Sequence, residues 1–142
     1  MDANILLFAV DEASPFHAQA ANWLTEQLNG PRRVGLPWHT ILGFVRISTN
    51  RRDYSIPLGP EEAWAQVERW LDAPSVWIPE PIHGHASVLG DLVRKYHVTG
   101  DLVPDAHLAT LALEHGLTIC SADTDFARFR EVRWENPILS SG

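Results

Sequence analysis

The sequence is short of several things, and each shortage removes a class of protein. It holds a single cysteine, Cys120, which excludes a disulfide framework. That thiol lies in an apolar run, where a buried and reduced side chain is expected and nucleophilic reactivity is not, because apolar surroundings raise a thiol's pKa. No stretch approaches the length of a membrane span, and no basic region precedes the apolar run at the N-terminus. Neither membrane insertion nor secretion is expected, and the cytoplasm is the expected compartment. Of the 11 basic residues only Lys95 is a lysine; the others are arginines, the better planar partners for phosphate or carboxylate. The formal net charge of −7 argues against a protein that coats nucleic acid with a basic face. It leaves room for a nuclease whose acids hold a metal.

Motifs are missing too. No G-x-S-x-G, Walker A or G-x-G-x-x-G pattern occurs, which removes the commonest hydrolase and nucleotide-binding signatures. The seven histidines show neither HxxxH nor HExxH spacing, and His83-x-His85 has no third ligand nearby in sequence, so zinc is not expected. Most of the six tryptophans fall on apolar stripes or strands, which favours core packing over base stacking.

What is present describes an α/β protein. The 142 residues are 45% hydrophobic, enough for one domain over 1–142 with a substantial core; it should fold alone, with a homodimer left open. Asp2 through Val10 reads either as a buried strand or as a short buried helix capped at Asp2. Ser14-Pro15 then opens a helix from about Pro15 to Asn29, with Ala20, Trp23, Leu24 and Leu28 at helical spacing and Gly30 as its stop. Arg33 to Leu36 is a short strand, Pro37 to Ser48 a dense apolar helix, and Thr49 to Gly59 a loop. Pro60 restarts a helix with Glu61 and Glu62 in its first turn and a stripe of Ala63, Trp64, Val67, Trp70 and Leu71. Strand Val76–Ile78, helix His83–Tyr96, strand Leu117–Cys120, a short turn or helix through Phe126 and Phe129, and strand Val132–Trp134 complete the order. Helices and short apolar strands alternate throughout, which predicts a parallel sheet covered on both faces.

The chemistry concentrates in Thr99 through Ala109 and Ser121 through Phe126. Asp105 follows Pro104 at a helix start, and Asp123 closes the strand that ends at Cys120. A helix N-terminus beside a parallel strand's carboxyl end is where open α/β sheets place their ligands. Asp2, Asp105 and Asp123, with Asp101 and Asp125 as neighbours, can converge there although they are far apart in sequence. Such acids repel one another, and a hard cation is what makes the cluster tolerable; Mg²⁺ or Mn²⁺ suits an all-oxygen site. The plainer alternative is helix capping by Asp105 and turn formation by Asp101, Asp123 and Asp125.

Four segments carry a resemblance. Asp2-Ala3-Asn4-Ile5-Leu6-Leu7, Gly43 through Asn50, Gly100 through Ala109, and Ser121 through Phe129 together resemble a PIN-domain ribonuclease, specifically the VapC-type toxin of a toxin–antitoxin pair. The likeness covers essentially the whole chain and rests on the order of the four. It implies a three-layer α/β/α sandwich around a mainly parallel sheet and a Mg²⁺- or Mn²⁺-dependent endoribonuclease. In that family the acids matched by Asp2, Asp105 and Asp123 surround the metal, Asn4 matches an amide that helps order the site, and Thr49 with Asn50 matches a polar pair. The implied reaction is in-line attack of water on an RNA phosphodiester, with the metal stabilising charge on the phosphoryl oxygens. The implied partners are RNA and a VapB-type antitoxin that covers the cleft.

Two departures stand out. The family's usual glutamate after the second strand is matched by Thr40-Ile41-Leu42-Gly43-Phe44, which holds no acid; a subgroup with Gly-Phe-x-Arg shares that absence, and Asp101 or Asp125 can substitute. The family also has several apolar residues before the first acid, where only Met1 precedes Asp2, so a weakened first strand is expected. These departures keep a second reading open, a catalytically weak or inactive PIN-like module that binds RNA or protein. A receiver-like phosphoacceptor is disfavoured, because no lysine lies near the chain's end.

Overall fold

The computed structural model describes residues 1–54 and 56–138. Its order is α1 (Ala3–Val10), α2 (His17–Asn29), β1 (Val34–Gly35), α3 (Trp38–Ser48), α4 (Pro60–Asp72), β2 (Val76–Trp77), α5 (His85–Lys95), α6 (Leu102–His115), β3 (Ile119–Cys120), a 3-10 turn (Thr124–Arg128) and β4 (Trp134–Glu135). The strands form two parallel pairs, β1 with β2 and β3 with β4. Helices pack against them to give the α/β/α arrangement. Among the described residues no helix is long and apolar enough to cross a membrane.

The apolar run after Asp2 is a helix. Asp2 sits at its N-cap in extended conformation, and its side chain accepts from the Ala3 N–H, satisfying one of the donors a helix start leaves open. Only residues 1 and 2 remain extended, and they span the two strand pairs: the Met1 amino group donates to Gly35 O at 3.1 Å, and the Asp2 N–H donates to Cys120 O at 2.9 Å. Successive N–H groups of a strand point to opposite sides, so these two hydrogen bonds tie the edge of β1 to the edge of β3. The next ladder acceptor, Met1 O, faces a chain whose matching residue is Pro37, which has no N–H; the Thr40 hydroxyl bonds it instead at 2.6 Å. A cavity of about 330 Å³ remains beside it, lined by Val34, Leu108, Leu111 and Ile119 among others.

Each strand pair has its own apolar cluster. Leu6, Leu24, Leu36, Ile41, Phe44, Val67 and Trp70 pack around the first pair. Leu92, Val98, Ala106, Leu108, Ala109, Ala112, Ile119, Phe126 and Phe129 pack around the second. Phe44 meets Trp70 edge to face at 4.8 Å between centroids, a geometry that contributes about 0.5–1.5 kcal/mol beyond burial. On α4 the observed buried face is Ala63, Val67 and Trp70, while Trp64 is exposed. One residue past Ala63 turns the side chain about 100° away from that face, so the expected stripe was one position too wide.

Helix α6 carries Asp105 and begins at Leu102, ahead of Pro104, with Asp101 at the N-cap. Proline fits there because first-turn N–H groups have no helical partner. The helix ends at Gly116, whose φ of 65 is the left-handed conformation that a residue without Cβ adopts at little cost.

Candidate metal centre

Asp105, Asp123 and Asp125 each offer a carboxylate oxygen within 4.8 Å of the others, and among the described residues no other group of three or more His, Cys, Asp or Glu comes this close. Asp105 projects from the first turn of α6. Asp123 caps the 3-10 turn, its Oδ1 accepting the Asp125 N–H at 2.9 Å, which fixes both acids on one tight turn after β3. Burial pushes the Asp105 carboxyl up to about 7, with further upward pressure from the charges of Asp123, Asp2, Asp125 and Asp101 in that order. The ordering matters. Asp123 is the largest charge acting on Asp105 and Asp101 the smallest, so the cluster centres on the Asp105–Asp123 pair.

Asp2 stands beside this group with its oxygens already engaged. Oδ1 accepts from Ala3 N at 2.7 Å, and Oδ2 accepts from the Ser121 hydroxyl at 2.7 Å and from Asn4 Nδ2 at 3.3 Å. Asn4 Nδ2 also donates to Ser121 Oγ at 3.1 Å, and Asn4 Oδ1 accepts the Ala122 N–H at 3.2 Å. Ser121 Oγ in turn accepts the Asp123 N–H at 2.9 Å. Asn4 and Ser121 therefore lash the start of α1 to the turn that carries Asp123. Asp101 is exposed and makes no side-chain capping bond. Thr49 and Asn50 are engaged locally: Thr49 Oγ1 donates to Val45 O at 2.7 Å, and Asn50 Oδ1 accepts the Arg52 N–H at 2.9 Å. They close the end of α3.

Sequence reasoning passed over Ser121, which is fully buried. Its signal is a small hydroxyl residue two positions before an acid at a strand end, the spacing at which a serine side chain bonds the backbone two residues on. Ser121→Ala leaves Asp2 Oδ2, Asn4 Nδ2 and the Asp123 N–H each one partner short. An unsatisfied buried polar group costs about 1–3 kcal/mol, so urea denaturation is expected to show a loss of that order; an unchanged midpoint would mean that the three groups re-pair without Ser121.

The donor set fits a hard divalent cation. Three carboxylates supply oxygen ligands without a nearby ammonium or guanidinium to neutralise them among the recorded ion pairs, and Asp105 resists ionising while its neighbours are charged. A cation held by the three would remove that resistance.

An α/β/α protein with carboxylates from a helix start gathered beside the carboxyl end of β3 has the layout in which open α/β sheets place their ligands. The PIN domain family model matches residues 1–132. Ribonuclease VapC37 of Mycobacterium tuberculosis (strain ATCC 25618 / H37Rv) is 43% identical over 137 residues, covering 96% of this chain and 95% of that protein. Ribonuclease VapC33 of the same strain is 36% identical over 137 residues, covering 96% of both. The chain belongs to the PIN-domain family, in its VapC group. Among solved structures, VapBC-1 from nontypeable Haemophilus influenzae aligns over 96% of this chain and 95% of that one, with a TM-score of 0.67 and 15% identity. FitAB bound to an IR36 DNA fragment aligns over 96% and 93%, with a TM-score of 0.63 and 17% identity. At those identities the two structures speak for the fold.

Proposed function

We propose that this chain is a metal-dependent endoribonuclease, the toxin of a toxin–antitoxin pair, acting as one PIN-like domain in the cytoplasm. The observation that carries the reading is the convergence of Asp105, Asp123 and Asp125 within a chain related over nearly its whole length to ribonucleases of the VapC group. Asp105, Asp123 and Asp125 would hold Mg²⁺ or Mn²⁺, and Asp2, the first acid of the family pattern, would act beside them as a negative charge whose oxygens are oriented by Ala3, Asn4 and Ser121. When bound, the cation lowers the pKa of water and stabilises charge on a phosphoryl oxygen. The chain's own part is to hold the acids at fixed spacing: the Asn4–Ser121 network orients Asp2 and Asp123 together, and the rigid first turn of α6 aims Asp105 at them. Preorganisation of this kind keeps ligand reorganisation out of the reaction.

RNA is the proposed substrate. A VapB-type antitoxin is the proposed partner, a reading supported by the fold shared with the VapBC-1 and FitAB structures. An antitoxin that presents a basic side chain to the acids would lower their mutual repulsion as a cation does.

Incubating the purified protein with structured RNAs tests the reading. Cleavage is expected with Mg²⁺ or Mn²⁺ and is expected to stop with EDTA. RNA bound but left intact at every metal concentration would favour the inactive binding module, the reading that the acid-free stretch Thr40 to Phe44 keeps open.

A further inference from the structure

Outside the acid cluster, His85 at the start of α5 and His107 on α6 pair directly, and His39 on α3 reaches the same place through His107. His85 Nε2 lies 3.1 Å from His107 Nδ1, and the His39 and His107 rings stand edge to face with centroids 6.0 Å apart. His85 is itself anchored: its Nδ1 lies 2.6 Å from Glu114 Oε1, and Glu114, whose side chain is 2% exposed, is held from its other oxygen by the Ile82 N–H at 3.3 Å.

We propose that His39, His85 and His107 form a transition-metal site of Zn²⁺ type, separate from the acid cluster, that ties α3, α5 and α6 together. An ionised Glu114 only accepts, so His85 carries its proton on Nδ1 and turns the lone pair of Nε2 toward His107. A carboxylate behind the non-ligating nitrogen of a histidine is the usual support of a zinc ligand, fixing both tautomer and ring orientation. The spacing agrees. Tetrahedral Zn–N bonds of about 2.0–2.1 Å put neighbouring ligand nitrogens roughly 3.3 Å apart, close to the 3.1 Å between His85 Nε2 and His107 Nδ1. A metal ion takes the place of the proton they share, and His107 then carries its proton on Nε2. The nitrogens of His39 are not within 4.8 Å of those of both other histidines; its ring is exposed and supplies the third nitrogen by turning toward His107 when the ion binds, leaving the fourth position to water. Imidazole donors suit Zn²⁺, whereas carboxylate oxygens suit Mg²⁺ or Mn²⁺, so the two sites select different ions.

Cobalt binding to the untagged full-length chain tests this, because Co²⁺ in a tetrahedral nitrogen site gives an intense visible spectrum and Zn²⁺ displaces it. The Asp105→Asn/Asp123→Asn double variant is expected to bind a single Co²⁺ per chain with that spectrum, the wild type is expected to show the same intense bands with any second Co²⁺ at the acids adding only weak octahedral absorbance, and Zn²⁺ is expected to raise the thermal midpoint of both. His85→Ala and His39→Ala are each expected to weaken Co²⁺ binding at least tenfold; His39 is exposed, so its variant should fold even where His85→Ala does not. Binding that disappears in the acid double variant, a spectrum without tetrahedral intensity, or unchanged affinity in His39→Ala would overturn the site.

Discussion

Asp123→Asn is expected to lower RNA cleavage at least 100-fold (about 2.7 kcal/mol or more in transition-state stabilisation) at every metal concentration, whereas Asp101→Asn is expected to raise the Mg²⁺ needed for half-maximal cleavage and leave the rate at saturating metal. The difference follows from position. Asp123 lies within the three-acid group and is the largest charge acting on Asp105. Its second duty, capping the 3-10 turn by accepting the Asp125 N–H, is one an asparagine oxygen performs equally well, so the variant keeps the turn and loses only the charge. Asp101 sits at the N-cap of α6 without a capping bond, outside that group, and acts on Asp105 least of the four neighbours. It contributes field rather than a ligand oxygen, and field is replaced by more metal. Initial rates across a Mg²⁺ titration separate the two. Curves for the two variants that superimpose would show that the ranking is wrong.

The acids were legible because charge is conspicuous against apolar sequence. Asp105 after Pro104 and Asp123 after the strand could be picked out without a structure, and the alternation of helices with short strands identified a parallel α/β fold. The local structure of the first segment was not legible. Ile5 and Leu6 are buried and their neighbours in α1 are half-buried, since the helix is packed by α2 on one side and α3 on another. A helix covered on several sides loses its polar face, and with it the 3.6-residue period that separates a short helix from a strand. Burial similarly flattens the pattern of α6 between Ala106 and Ala112. Side-chain networks were the other blind spot. Ser121 looks like any residue after a strand until Asn4, 117 positions away, is folded against it. His39, His85 and His107 show no ligand spacing because each comes from a different helix.

The metal-free protein is expected to lose stability as pH rises from about 4 to about 7, with Asp105 the main source of the loss. Its carboxyl is raised from 3.8 to about 7 in the folded chain, first by burial and then by Asp123, Asp2, Asp125 and Asp101. Below pH 4 both the folded and unfolded chains hold the proton, and no penalty exists. Through the window between the two values the unfolded chain releases the proton while the folded chain retains it, so the folded state loses ground until Asp105 ionises near 7. Above that the penalty is complete and constant. Glu131, held below the usual carboxylate range chiefly by its hydrogen bond from Tyr96, works in the opposite sense, gaining stability as it ionises, so the raw pH profile mixes the two. The difference between wild type and Asp105→Asn isolates the effect, because Glu131 is common to both. In EDTA that difference is expected to be small at pH 4, to grow in favour of the variant up to pH 7 and then to level off. At pH 8, Mg²⁺ is expected to stabilise the wild type and to do little for Asp105→Asn, reversing the order. A variant that is no more stable than the wild type at pH 8 in EDTA, or a difference that is flat from pH 4 to 8, would mean that Asp105 is not under strain from its neighbours, and the case for a cation between them would lose its physical basis.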